Sequence, residues 1–329
     1  MPKVSVIIPN YNHEKFLKQR FESVLNQSFQ DFEIIYLDDA STDDSNNICA
    51  HYASDPRLTT IFYNENSGSP FVQWNRGVAK ARGEYIWIAE SDDSADREFL
   101  AHLVSVLDSN QKLGLVYSQS SSISESGEII KENTRWWTDD IDAFRWQNSY
   151  QNSGIDEVAH FLIRKNIIPN ASAVLFRKEA YVDAGLADES FKYCGDWLMW
   201  VKILRNCDIA YEPRSLNLFR EQHSKSVRSI TFRKPDAVCE TLRVMTFIKQ
   251  YFPVSEPSLS DAMETRFRLW KEVSSRHFGF DATNREILRL FGKLSKITQL
   301  KALVQVPLFW SLSSVRALRH SMRNSEHAR

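Results

Sequence analysis

The sequence predicts an α/β fold, with a mostly parallel sheet flanked by helices and a helical C-terminal extension. Three observations carry that prediction. Short apolar, β-rich runs alternate with helical stripes over the first 120 residues. Each run ends in small, amide or acidic residues, as strand ends facing a ligand crevice do. From about Arg233 onward the pattern is wholly helical.

Val4-Ser5-Val6-Ile7-Ile8 reads as the first strand, closed by Pro9. Phe16, Leu17, Phe21, Val24 and Leu25 share one stripe and predict a helix over 16–27. Phe32 to Leu37 is the second strand, ending in Asp38-Asp39. Ser41-Thr42-Asp43-Asp44 is rich in helix-capping residues and predicts a helix through Ile48 and Tyr52. Leu58 to Tyr63 is the third strand. Pro70 to Ala81 is a helix, with proline in its first turn and Gly83 beyond its end. Tyr85 to Ala89 is the fourth strand. A helix through Leu100, Val104 and Leu107 follows, then a strand at Leu115-Val116-Tyr117. Residues 119–157 break this rhythm and read as long loops with short helices. A strand over 173–176 and a helix over 195–206 resume it.

Composition narrows the class. The 329 residues are 43% hydrophobic and 25% charged, as in soluble globular proteins. A net charge of -1 gives no electrostatic reason to expect nucleic acid as a partner. Strand-like sequence follows Met1-Pro2-Lys3 at once, so no signal peptide is expected, and no run of 18 apolar residues predicts a membrane span. Cys49, Cys194, Cys207 and Cys239 are scattered and fit neither a zinc site nor a disulfide framework, which points to a reduced, cytoplasmic compartment. Residues 293–329 hold seven Lys or Arg, one acidic residue (Glu326) and many apolar residues. Such a helix either packs on the domain or a second subunit, or lies peripherally on an anionic inner-membrane surface. Oligomeric state stays open.

Glu90-Ser91-Asp92-Asp93-Ser94, just after the fourth strand, is the strongest chemical signal. Neighbouring carboxylates repel, and a divalent cation such as Mn²⁺ or Mg²⁺ makes them favourable. The bland alternative is a solvated turn capping a helix near Arg97. Parallel strands would bring three further segments to the same edge. These are Pro9-Asn10-Tyr11-Asn12, Asp38 to Asp43, and Asn64 to Gly68 with Asn75-Arg76-Gly77 behind it. Pro9, Tyr11, Asn12, Asp38, Asp39, Asn66 and Arg76 are therefore candidates for binding a nucleotide. Turn geometry is an equal explanation for Pro9 and Asn12.

Val4 to Asn12, Asp38-Asp39-Ala40-Ser41-Thr42-Asp43 and Ser91-Asp92-Asp93 together resemble the inverting family 2 glycosyltransferases of the GT-A fold. The resemblance covers roughly residues 3 to 228. It implies that Asp38 or Asp39 contacts the nucleoside of a nucleotide-sugar donor. It implies Asp93 as a metal ligand, with Asp92 nearer the ribose or the metal's water. Glu90 stands where the motif's first acidic residue would be. Ala184 to Glu189 and Cys194-Gly195-Asp196-Trp197 resemble the family's region around the catalytic base. Asp196 matches the base, and Gly195 replaces the usual Glu. Asp196 also stands where a helix N-cap is expected. Leu218 to Ser226 resembles a loop that closes over the donor's diphosphate. There Arg220, His223 and Lys225 could supply positive charge, or His223 could reach the metal.

The resemblance thus implies a nucleotide-binding part at 1–118 and an acceptor and catalytic part at 119–230. Residues 231–329 form a separate helical region. The implied acceptor is a glycan or lipid-linked glycan. A sugar nucleotidyltransferase is disfavoured, because no glycine occurs before Gly68 to build a phosphate loop. A degenerate domain that binds nucleotide sugars as a scaffold is the remaining alternative.

Overall fold

The computed structural model describes residues 1–221, 234–277 and 281–305. His223, Lys225 and the tail beyond residue 305 lie outside these residues. The chain forms two compact units, one of residues 1–162 and 166–223, the other of 163–165 and 224–329.

The first unit is built on one sheet. Strands β1 (Val4–Asn10), β2 (Phe32–Asp38), β3 (Leu58–Phe62) and β4 (Tyr85–Ile88) are parallel, in the order β3-β2-β1-β4. The chain leaves β1 toward β2 and β3, then returns to β4 on the other side of β1. A crevice opens at such a reversal, outside the C-terminal strand ends. The sheet continues with β9 (Val174–Arg177), antiparallel between β4 and β6 (Leu113–Ile123). Then come β10 (Asp208–Arg220), parallel to β6, and the two-residue β5 (Ser94–Ala95) on its far side. Short strands β7 (Ile129–Lys131) and β8 (Tyr150–Asn152) pair with β6 and β10.

Alternation along β1 feeds both layers. Val4, Val6 and Ile8 join a core with Leu17, Phe21 and Val24 of helix α1 (Glu14–Leu25) and with Phe99, Leu103 and Leu107 of the helix Phe99–Ser109. Ile7 instead meets Gly77 of helix α3 (Pro70–Lys80). A Cβ on Gly77 would lie 2.5 Å from Ile7 Cγ2, so only glycine admits that approach. Pro9 lies beyond the β4 pairing, which ends at Ile7, so its missing N–H faces a single neighbouring strand.

Several boundaries differ from expectation. The Ser-rich run 118–122 is strand, not loop. It forms the buried C-terminal half of β6, paired with β10, and Asn170 and Asn217 donate to Ser120 Oγ at 3.1 Å. The full length of β10 carries no period-2 signal, because both its faces are partly covered. Helix α2 (Ser45–Ala50) has six residues, and Asp44 caps it without a side-chain hydrogen bond; helices α4 (Phe99–Ser109), α5 (Gly154–Glu157) and α6 (Lys178–Asp183) follow along the chain.

The second unit is helical. Its helices Pro235–Tyr251, Glu256–His277 and Ala282–Leu294 precede a helical stretch at 296–305. Trp270 and Phe291 lie ring edge to face at 5.8 Å in its core, and Trp270 Nε1 donates to Asn284 Oδ1 at 3.0 Å. Among the described residues no helix is long and apolar enough to cross a membrane.

Candidate active site

The end of β1 is locked to the end of β2. Asp38 is buried and accepts from Asn10 Nδ2 (3.0 Å), Tyr36 Oη (3.0 Å) and the Ser41 N–H (2.8 Å). These three bonds tie the Asp38 carboxylate to the ends of β1 and β2. Asn12 has φ +55° and Ala40 φ +65°, both left-handed. The Ser41 Oγ accepts from the Asn12 N–H at 2.9 Å, and Asn12 Oδ1 accepts from the Thr42 N–H at 2.7 Å. Asn12 therefore shapes the turn, while Tyr11 beside it is exposed.

Asp39 lies one residue on and faces α3. It accepts from Ser67 N–H and Oγ and from Gln73 Nε2, and Arg76 Nη1 stands 3.7 Å from Oδ1. Arg76 also lies over the Tyr63 ring at 4.0 Å. Asn66 bonds the Asp39 carbonyl oxygen (3.1 Å) and the Gly68 N–H (2.8 Å), so it braces the loop.

The acidic turn is not a solvated cap. The next helix is capped by Glu98, without a side-chain hydrogen bond. Glu90 Oε1 accepts from Trp74 Nε1 of α3 at 2.9 Å. Asp93 is buried and its Oδ1 accepts the Arg220 N–H at 2.9 Å, whereas Asp92 is half-buried. Burial, with the charge of Asp92 second, pushes Glu90 up to about 8 and Asp93 up to about 7.

Two arginines counter this charge from below. Arg220 is buried. Its Nε donates to the Asp92 carbonyl (2.7 Å), Nη1 to the carbonyls of Ser124 and Glu125, and Nη2 to Gln19 Oε1. Four of its five guanidinium N–H donors are thus tied to the scaffold. Arg20 occupies the buried stripe of α1 and donates from Nε to the Glu90 carbonyl at 2.8 Å. Burial pulls its guanidinium down to about 10, against the opposing pull of Asp93, Asp92 and Glu90.

Asp196 lies in the first turn of helix α7 (Gly195–Ile203), half-buried. It is not the cap, since Cys194 holds that position without a side-chain bond. A helix's first turn favours negative charge. Asn166 Nδ2 donates to Asp196 Oδ2 at 2.8 Å and so orients the carboxylate. Gly195 has a steric reason: a Cβ there would lie 2.4 Å from Phe71 Cε2.

Helix α3 therefore touches every part. Gln73 and Arg76 engage Asp39, Trp74 engages Glu90, and Phe71 packs under Gly195. Asn75 bonds the Ala187 carbonyl (3.0 Å) and Glu189 Oε1 (2.9 Å) in the loop before α7. Sequence reasoning missed Arg20, Trp74, Gln73 and Asn166. For Arg20 a signal existed, a cation within an apolar helical stripe.

The model for Glycosyl transferase family 2 matches residues 5–170, half of the chain. The chain belongs to glycosyl transferase family 2. It is 34% identical over 122 residues to the glycosyltransferase GlyG of Streptococcus pneumoniae, covering 36% of this chain and 40% of that protein. It is 32% identical over 134 residues to a GalNAc(5)-diNAcBac-PP-undecaprenol beta-1,3-glucosyltransferase of Campylobacter jejuni, covering 40% and 42%. The chain thus spans less than two thirds of the length of these curated relatives. In structure it is similar to S. aureus TarS 1-349 in complex with UDP-GlcNAc, with a TM-score of 0.64 and 18% identity over 98% of this chain and 92% of that one. It is also similar to the mannosyltransferase PcManGT of Pyrobaculum calidifontis in complex with GDP-Man and Mn²⁺, with a TM-score of 0.60 and 15% identity over 96% and 87%. At these identities the likeness is one of fold, and it agrees with the GT-A arrangement expected from the sequence.

Family 2 chemistry implies a divalent cation, and the turn's donor set suits one in part. Asp92 and Asp93 carry adjacent hard carboxylate oxygens whose repulsion a dication would relieve. Among the described residues no group of three or more His, Cys, Asp or Glu could hold a metal. An ion here would complete its shell with substrate phosphate and water, as Mg²⁺ commonly does.

Proposed function

We propose that this family 2 chain transfers a sugar, with inversion, from a nucleotide-sugar donor to a glycan or lipid-linked glycan acceptor. The observation that carries the reading is the common frame of α3. It holds Asp39, the acidic turn and the helix of Asp196 together. A UDP-linked donor is favoured because TarS has been captured with UDP and UDP-GlcNAc. The lipid pyrophosphate in the Campylobacter relative's name supports a lipid-linked acceptor.

In this mechanism Asp196, oriented by Asn166, takes the proton of the acceptor hydroxyl as its oxygen attacks the anomeric carbon. The bond from that carbon to the diphosphate oxygen breaks, and the nucleoside diphosphate leaves. Asp39 with Arg76 receives the nucleoside. Mn²⁺ or Mg²⁺ would be held by Asp92 and Asp93 and would neutralise charge on the departing diphosphate.

In this reading the reaction takes place at the cytoplasmic face of a membrane. Ile297, Leu300 and Val304 are 70%, 63% and 67% exposed on one helical stripe, with Lys296 and Lys301 nearby. Residues 287–329 hold eight Lys or Arg against Glu326, whereas the preceding residues hold 33 Lys or Arg against 41 Asp or Glu. A basic, apolar segment on an acidic body suits an anionic lipid surface. Vesicle sedimentation of Leu300→Glu should show loss of binding.

Calorimetric titration with UDP, dTDP and GDP, with and without Mn²⁺, tests the central reading. Binding of one nucleotide that needs the metal and is lost in Asp93→Ala supports it. No binding of any nucleotide would leave a degenerate scaffold.

A further inference from the structure

The loops leaving β1 and β4 face each other across the sheet's reversal point, and one side chain joins them. His13 Nδ1 lies 2.8 Å from Ser91 Oγ, the central residue between Glu90 and Asp92. The backbone on both sides of His13 is pinned. Asn12 is tied to Ser41 and Thr42, the Glu14 N–H donates to Asp43 Oδ2 (2.9 Å), and Glu14 Oε2 accepts from the Asp44 N–H (2.6 Å). The imidazole stacks edge-on to Phe16, with ring centroids 6.0 Å apart. His13 is half-buried, and its Nε2 is not among the buried polar atoms that lack a partner. The ring is thus fixed through Nδ1, and among the described residues no hydrogen bond engages Nε2.

We propose that His13 binds the donor's diphosphate through Nε2. This rests on the donor-site reading above. In that reading the nucleoside lies at the ends of β1 and β2 and the metal at the turn after β4. The diphosphate that joins them must then cross the gap His13 spans. Ligands of open α/β sheets collect at such a crevice. An imidazole N–H there makes a charge-assisted hydrogen bond to a phosphate oxygen. The Ser91 contact acts as a second anchor that aims the ring, as partners on one nitrogen of a functional histidine commonly do.

Three substitutions separate the roles of the two nitrogens. Asparagine places its amide nitrogen near the Nδ1 position, and glutamine places its own near Nε2. Titration of His13→Ala, His13→Asn and His13→Gln with UDP, and with uridine alone, is the test. Thermal unfolding of each variant accompanies it. The expected result is UDP binding weakened about tenfold or more in the Ala and Asn variants, the scale of one charged hydrogen bond. The Gln variant should recover most of it, and uridine binding should be unchanged throughout. Full UDP affinity in His13→Asn would reduce His13 to a brace for Ser91 and overturn the proposal. So would equal losses for UDP and uridine. Wild type that binds UDP while all three variants match it would overturn the role of His13 alone. Wild type that binds no nucleotide would overturn the donor-site reading and the role of His13 with it.

Discussion

Trp74 donates its indole N–H to the Glu90 carboxylate at 2.9 Å, so a helix on one face of the sheet holds the acidic turn at its edge. The indole is buried and the carboxylate half-buried, and an acceptor left without its donor costs about 1–3 kcal/mol where burial is complete. Trp74→Phe should lose roughly that stability in chemical denaturation. Metal-dependent nucleotide binding should fall with it. Glu90→Gln keeps an acceptor for the indole and should lose less than Glu90→Ala.

A side chain at residue 195 must displace Phe71. Overpacking of this kind costs about 1–3 kcal/mol. Gly195→Ala should destabilise the protein and slow transfer by moving the first turn of α7. Adding Phe71→Leu should restore part of both losses. A Gly195→Ala variant with wild-type stability would remove the steric account of this glycine.

Asp196→Asn keeps the hydrogen-bond geometry toward Asn166 approximately but lacks a base. Turnover should fall by about 10²–10⁴, the range general-base catalysis supplies. Nucleotide affinity should stay within about twofold, since binding does not use this proton acceptor. Rapid-quench transfer assays beside calorimetry separate the two.

Glu90 and Asp93 also give the acidic turn a pH signature. Their folded-state values, about 8 and about 7, lie above those of an unfolded carboxylate. The native state therefore binds more protons than the unfolded state between the unfolded and folded values. Stability from these groups falls as pH rises through that window. Glu90→Gln cannot ionise, so its stability relative to wild type should improve steadily from pH 5 to pH 9. Parallel stability curves for the two proteins would contradict the buried, charge-crowded environment of Glu90.

The parallel half of the sheet was legible because β1, β2 and β4 are buried on both faces and read as continuous apolar runs. The apolar pattern of strand β6 stops halfway because its second half is mostly serine, buried by its neighbours rather than by its own hydrophobicity. The candidate acidic residues stood out for their chemistry. What the sequence could not convey was which of them are already committed. Asp38 and Asp39 read alike, yet Asp38 is tied to Asn10, Tyr36 and Ser41 and Asp39 to Ser67 and Gln73. Arg220 reads like a phosphate ligand, yet its donors end on carbonyls of the scaffold. Such commitments come from contacts between residues up to 201 positions apart, which no local pattern encodes.

The span of α3 has a consequence for how this site can be altered or exchanged. The acidic turn and its indole partner are 16 residues apart in the chain, and the glycine that accommodates Phe71 lies in a different segment again. A chimera that imports the turn from another family 2 chain, without α3 and the start of α7, would receive carboxylates with no matching support. The smallest portable piece of this site is a discontinuous set of three segments. Directed evolution toward a new donor should accordingly yield paired changes in them before single changes in any one.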